Sequence, residues 1–179
     1  MHQTNLLSDS GMILNERKLK KNFGMKYKIL VPLFVLMTSF MKADDQRSMV
    51  DALLDGLHQD AHEANFQTYF ARYSSDAVFL GTDKTERWTI KDFKDYAKPA
   101  FADGHGWTYS VVERNWEGEG NIRWFHEILF NEKLGHCRGT GVVEKKTGEW
   151  KIAHYALTML VPNAIAREVG AQTKEADKL

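Results

Sequence analysis

Apolar positions recur along the chain at two periods, first every three or four residues and then every second residue. Val50, Leu53, Leu54, Leu57, Ala61 and Ala64 share one helical face, and Phe66, Tyr69, Phe70 and Tyr73 continue it as the stripe drifts around the axis. The spacing predicts one long amphipathic helix over residues 48–73, opened by the capping box Ser48-Met49-Val50-Asp51 and ended at Ser74-Ser75. A short strand over 77–80 and a polar turn at Gly81-Thr82-Asp83 come next. Thr89-Ile90-Lys91-Asp92 is a second capping box and starts a second helix. Pro99 should break or kink that helix, because proline lacks the donor and disfavours helical geometry at Lys98.

After Asp103-Gly104-His105-Gly106 the period changes to two. Four β-runs are predicted at 107–116, 121–131, 136–145 and 149–159, with a C-terminal helix over 164–176 beyond Pro162-Asn163. Their short connections make an antiparallel meander the simplest topology. Lys146-Thr147-Gly148 closes the last hairpin. On its second strand, alternation places Trp150, Ile152, His154, Ala156 and Thr158 on one face, and Lys151, Ala153, Tyr155, Leu157 and Met159 on the other. Gly139 and Gly141 within a strand point to a bulge or sharp bend, so the sheet should curl. Helices first and consecutive strands afterwards mean an α+β fold, with helices on one face of the sheet. A curled sheet around helices leaves a cone-shaped space, where small ligands usually sit.

Charge separates the two ends of the chain. Residues 1–43 hold seven of the 24 Lys and Arg and two of the 24 Asp and Glu, so the remainder carries 17 basic against 22 acidic groups. An acidic domain without a basic run is a poor partner for a phosphate backbone, which excludes nucleic acid. Lys26 and Lys28 precede twelve uncharged residues, 29–40, too few to span a bilayer but suited to a secretory signal cleaved after Ala43. The expected organisation is therefore an upstream extension over 1–24, a signal peptide over 25–43 and one domain over 44–179. That places the protein in the periplasm or outside the cell, with membrane contact only through an uncleaved leader. Cys137 is the only cysteine, so no intramolecular disulfide can form, and it reads as a small buried hydrophobe.

Glu86-Arg87-Trp88 after the Gly-Thr-Asp turn, Lys98-Pro99, Arg138-Gly139-Thr140-Gly141-Val142, Trp150-Lys151-Ile152-Ala153-His154-Tyr155 and Leu160-Val161-Pro162-Asn163 follow one another in a familiar order. In these motifs the chain resembles the SnoaL-like domain family of the nuclear transport factor 2-like superfamily, over roughly residues 48–163. The resemblance implies a cone-shaped barrel with a strongly curved antiparallel sheet wrapped around N-terminal helices, commonly a homodimer through the outer sheet face. It leaves function open between cofactor-free isomerases, dehydratases and cyclases and non-catalytic binding modules. Relatives often carry a second histidine two residues past the first on the last strand, where this chain has Ala156.

His154 is the leading candidate for acid–base chemistry, because a histidine on an apolar inward face can titrate near neutrality. Its alternative is a core histidine satisfied by backbone. Glu127, between Phe125 and Leu129, is either a general base, an exposed residue, or half of an ion pair with Arg138 on the next strand. His58 and His62 share a helix face, but without a third ligand no metal is expected, and no cofactor. Glu86 and Arg87 stand beside Trp88 after a loop that rims the cavity in the resembling fold, and either anchor a charged end of a ligand or cap and pin the loop. The expected ligand-binding set is His58, Trp88, Trp124, Arg138 and His154, taking a small apolar or amphipathic molecule. The expectation is thus a small-molecule-binding module, and the alternative is a cofactor-free acid–base enzyme using His154 with Glu127 or Arg138.

Overall fold

The computed structural model of the chain describes residues 46–178. Its contacts separate Met1–Ser48, almost wholly outside the described residues, from Met49–Leu179, the unit treated below. The expected extension, leader and cleavage point lie outside the described residues.

Helix α1 covers residues 46–62 and buries Val50, Leu54, Leu57 and Ala61, the stripe that the spacing implies. Ser48 lies inside it, so the Ser48–Asp51 pattern is not its start. The expected single helix to residue 73 is divided. Ala64 takes a left-handed φ of 54°, with its N–H bonded to Ala61 O and that of Asn65 to Asp60 O, which is the Schellman ending. A short helix α2, Phe66–Ala71, then buries Tyr69 and Phe70.

Strand β1, Tyr73–Leu80, starts four residues earlier than expected, and a three-residue strand β2, Arg87–Thr89, pairs with it antiparallel. Helix α3, Ile90–Ala102, begins as read from the sequence, with the Thr89 hydroxyl accepting from the Asp92 N–H. It runs through Pro99 without ending there. Ala97 and Phe101, both buried, flank the proline, so packing outweighs the single lost backbone bond. Strands β3, Ser110–Glu117, β4, Ile122–Asn131, β5, Gly135–Lys146, and β6, Glu149–Met159, form the antiparallel meander, and helix α4, Ala166–Ala176, follows.

The six strands lie in the order β2-β1-β6-β5-β4-β3, with β1 parallel to β6 and every other pair antiparallel. The sheet is curved and remains unclosed, with β2 and β3 as its edges. The architecture is thus the expected α+β cone, open along one side. Thr147 and Gly148, with φ of 50° and 90°, make the two-residue turn between Lys146 and Glu149.

One irregularity decides which side chains face the helices. Val143 pairs with Ile152 but Val142 pairs with His154, so Ala153 is an extra residue in β6. A bulge of this kind inverts the alternation beyond it. Trp150 and Ile152 point inward before it, whereas Tyr155 and Leu157 do so after it. His154 is carried to the outer face, opposite Val142 and Val78. Gly139 and Gly141 are not the bulge. They stay in register, and a Cβ on Gly139 would lie 2.3 Å from the Tyr155 hydroxyl, while one on Gly141 would lie 2.7 Å from the Phe125 ring. Their missing side chains make room for those rings.

Candidate functional site

Alternation along β4 turns Phe125, Glu127 and Leu129 toward the helices, and Glu127 is buried to 0 % exposure. A carboxylate in such a place needs partners, and three elements supply them. Arg114 stands directly opposite in the β3–β4 register, its Nε donating to Oε2 at 2.8 Å. Its Nη2 is equally near that oxygen but out of line, and makes no hydrogen bond of its own. From β6 the Tyr155 hydroxyl donates to Oε1 at 3.2 Å. From α1, one position past the apolar stripe, His58 Nε2 lies 3.1 and 3.3 Å from the two carboxylate oxygens.

Burial alone would push the Glu127 carboxyl up. The hydrogen bonds and charges of His58 and Arg114 outweigh it and hold the group below its ordinary value. An ionised carboxylate only accepts, so Nε2 of His58 is the protonated nitrogen in this contact. Arg114 is fixed in turn from its far side, by Asp55 at 2.8 Å and Asp51 at 3.3 Å, and Asp51 also accepts from Trp116 Nε1 at 2.6 Å. The result is a chain of alternating charges ending at an imidazole.

His58 and Tyr155 form part of the wall of a cavity of about 200 Å³ between the sheet and helices α1 to α3. Most of the remaining wall is aromatic: Tyr69, Tyr73, Phe79 and Phe93 deep inside, Trp107 and Tyr109 along one side, Trp88 and Tyr96 at the mouth beside Glu86. Phe79 stacks between Phe93, with centroids 4.0 Å apart, and Tyr155, at 5.8 Å. The phenols are poised as neutral donors. Burial pushes Tyr69 and Tyr109 up to about 12 and carries Tyr73 and Tyr155 well above the ordinary phenol value. On its other side His58 borders an open groove shared with Asp55, His62 and Thr108, where His62 Nδ1 lies 3.0 Å from the Thr108 hydroxyl. No group of three or more His, Cys, Asp or Glu able to hold a metal is present among the described residues.

A SnoaL-like domain matches residues 50–162, well over half of the chain. The chain belongs to the SnoaL-like domain family. No curated protein matches it. Among solved structures, a nuclear transport factor 2-like protein of unknown function from Pseudomonas putida KT2440 is similar, at 12% identity and TM-score 0.58 over 67% of this chain and 90% of that one. A candidate dehydratase of the same superfamily from Streptomyces avermitilis is similar at 9% identity and TM-score 0.58, over 67% and 99%. A candidate scytalone dehydratase from Novosphingobium aromaticivorans is similar at 9% identity and TM-score 0.56, over 65% and 85%. At these identities the likeness is one of fold.

In this SnoaL-like domain the residues singled out by sequence separate cleanly. His58 and Trp88 line the cavity, and Glu127 stands directly behind it. Trp124, 53 % exposed, and Arg138, also exposed, lie on the outer face of β4 and β5, as does His154 on β6. Glu127 pairs with Arg114 rather than Arg138, since register puts Arg138 opposite Ile128 and its side chain on the other side of the sheet. Arg87 is exposed on β2 while its neighbour Trp88 turns inward. Glu86 reaches the mouth and also pins its own loop, accepting from the Asp83 N–H at 3.1 Å. Cys137 is fully buried and unpaired, its thiol pushed up by burial. Sequence reasoning missed Arg114 and Tyr155. Arg114 sits two residues before Trp116 on a strand, a same-face signal that was available; the face of Tyr155 depends on the bulge, which no residue type announces.

Proposed function

We propose that this SnoaL-like protein is an exported small-molecule-binding module whose ligand, small and largely apolar, occupies the aromatic cavity. The observation that carries the reading is the unfilled space of about 200 Å³ walled by rings and bordered by a single imidazole. Export is supported by the basic, then uncharged, leader in the sequence. Homodimer formation is supported by the apolar side chains on the outside of the sheet, Trp124 and Ile122 among them. Native mass spectrometry of gently isolated protein, with thermal shifts against a broad panel of small aromatic and alicyclic compounds, tests the reading. A bound mass or a saturable shift is the expected result; neither, at millimolar concentrations, would remove it.

One observation favours a second reading, a cofactor-free acid–base enzyme. It is the His58–Glu127 contact at the cavity wall, which supports giving His58 the role the sequence suggested for His154. Glu127 would fix the tautomer, while Arg114 and the Tyr155 hydroxyl, both donating to Glu127, would keep it ionised and in place. The dehydratase names of two structural neighbours agree with this chemistry. Proton exchange of small ketones in deuterated water, followed by NMR, tests it: exchange by the wild type that His58→Ala abolishes is expected. Equal exchange by both proteins would end this reading.

A further inference from the structure

The polar groups around the cavity are one-sided. Among the described residues its lining contains a carboxylate, Glu86, five phenols and an imidazole, and neither lysine nor arginine. Cations on the neighbouring elements are directed elsewhere, Lys84 to Asp177 and Lys91 to Asp95. Arg87 is exposed on β2, Lys94 lies over the Phe70 ring at 5.7 Å, and Arg114 is engaged by Glu127, Asp55 and Asp51. A ligand with a carboxylate or phosphate would enter without a counter-ion at the mouth and would meet Glu86 there.

The mouth has the opposite chemistry. Trp88 and Tyr96 stand with ring centroids 4.3 Å apart and planes inclined at 32°, and Glu86 lies beside them on the same rim. Tyr96 is 57 % exposed, although helix α3 could have buried an aromatic more fully. Behind it Trp88 is backed by Phe93 at 5.4 Å, so the pair is held firmly. Electron-rich ring faces next to a carboxylate attract a positive charge that is partly stripped of water.

We propose that the ligand of this cavity carries a cationic amine or quaternary ammonium group, received at the mouth by Trp88, Tyr96 and Glu86, with its apolar part in the aromatic interior. The proposal rests on the binding reading above and adds the charge class of the ligand. It gives the charged-end anchor expected from sequence to Glu86 and not to Arg87.

Three probes of nearly equal shape separate the possibilities by isothermal titration calorimetry: choline, its carbon isostere dimethylbutanol, and the corresponding dimethylbutanoate. Choline should bind about tenfold more tightly than the alcohol, and the carboxylate should bind most weakly. Glu86→Gln keeps an acceptor for the Asp83 N–H, and Tyr96→Leu alters an exposed site, so both variants should fold, which thermal unfolding verifies. Each should bring choline down to the level of the alcohol. If the alcohol binds as well as choline, or if both variants retain the preference, the cation proposal is overturned while the cavity remains a binding site. If none of the three binds and the wider compound panel is also silent, both proposals fail together. If only the panel binds, the cation proposal alone falls.

Discussion

On the inner face of β4 Glu127 is completely buried, while three residues earlier, on the outer face, Trp124 is about half exposed. The usual assignment of polar and apolar side chains is reversed on one strand. The two departures have different causes. Glu127 is tolerated because Arg114, His58 and Tyr155 converge on it from three separate elements, so desolvation is offset by charge and hydrogen bonds. Trp124 has no such enclosure, and its exposed ring shares the outer sheet side with Ile122 at the strand start. The inner polar group held by many partners is a candidate site, and the outer apolar groups held by few are a candidate interface.

The most severe way to break this contrast is to remove the buried charge. Glu127→Ala leaves Arg114 without its one fully buried counter-ion and should lower stability by about 3–5 kcal/mol in denaturant unfolding. Glu127→Gln should cost less, because it keeps shape and one acceptor. The same pair gives the pH dependence. The folded-state pKa of Glu127 is lowered, so its contribution is complete above the unfolded value near 4.5 and is lost as pH falls through the folded value. Below pH 4.5 the wild type should therefore lose stability more steeply than Glu127→Gln; parallel curves would mean that Glu127 is not the ionised centre of the site.

A methyl group placed on the inner face tests packing instead of charge. In Gly139→Ala the new Cβ would meet the Tyr155 hydroxyl at 2.3 Å and Glu127 Oε1 at 3.2 Å. Pushing that ring aside should cost about 1–3 kcal/mol and shift the Tyr155 resonances in NMR spectra. Gly170→Ala on α4 meets nothing within 4 Å and serves as the control, neutral or slightly stabilising.

The β6 neighbours sharpen the contrast further. Tyr155→Phe removes one buried hydrogen bond to Glu127 and should cost about 1 kcal/mol, with weaker binding of cavity ligands. His154→Ala, on the outer face, should change stability by no more than about 0.5 kcal/mol and leave binding untouched. Loss of binding in His154→Ala alone would mean that the bulge at Ala153 does not exist in solution.

That bulge also marks where the sequence stopped being readable. Periodicity located the strands β3 to β6, the hairpin connection at Lys146-Thr147-Gly148, one residue longer than the turn that forms, and the start of α3 at Thr89, because each has a local chemical signature. The two Schellman endings show the limit. Gly104, with φ of 72°, announces the end of α3, whereas Ala64 takes the same kind of geometry at the end of α1 with a residue that favours helix, so the break was invisible. The site divided in the same way. Glu127 and His58 stood out as titratable groups beside apolar ones, but their pairing spans 69 positions and belongs to tertiary packing. His154 was placed inward by an alternation that one extra residue inverted. Trp88 reaches the cavity wall from β2, and it was its loop motif, not a period, that pointed there.

The smallest expected effect on stability belongs to the outer face, and it decides what that face is for. Trp124→Glu puts a charge where the ring is already about half exposed, so at dilutions where both proteins are monomeric the unfolding free energy should stay within about 0.5 kcal/mol of wild type. The same charge in a self-complementary contact would face its own copy across the two-fold axis and meet a desolvated like charge. Light scattering behind size-exclusion chromatography should then find a dimer for the wild type and a monomer for the variant. Two monomers would remove the interface reading and leave Trp124 as an isolated surface ring. Two dimers would move the contact away from this part of the sheet. Because the cavity opens between the sheet and the helices on the opposite side, ligand affinity per subunit should be the same in both proteins. A parallel loss of affinity in Trp124→Glu would show that the two faces are coupled through the sheet.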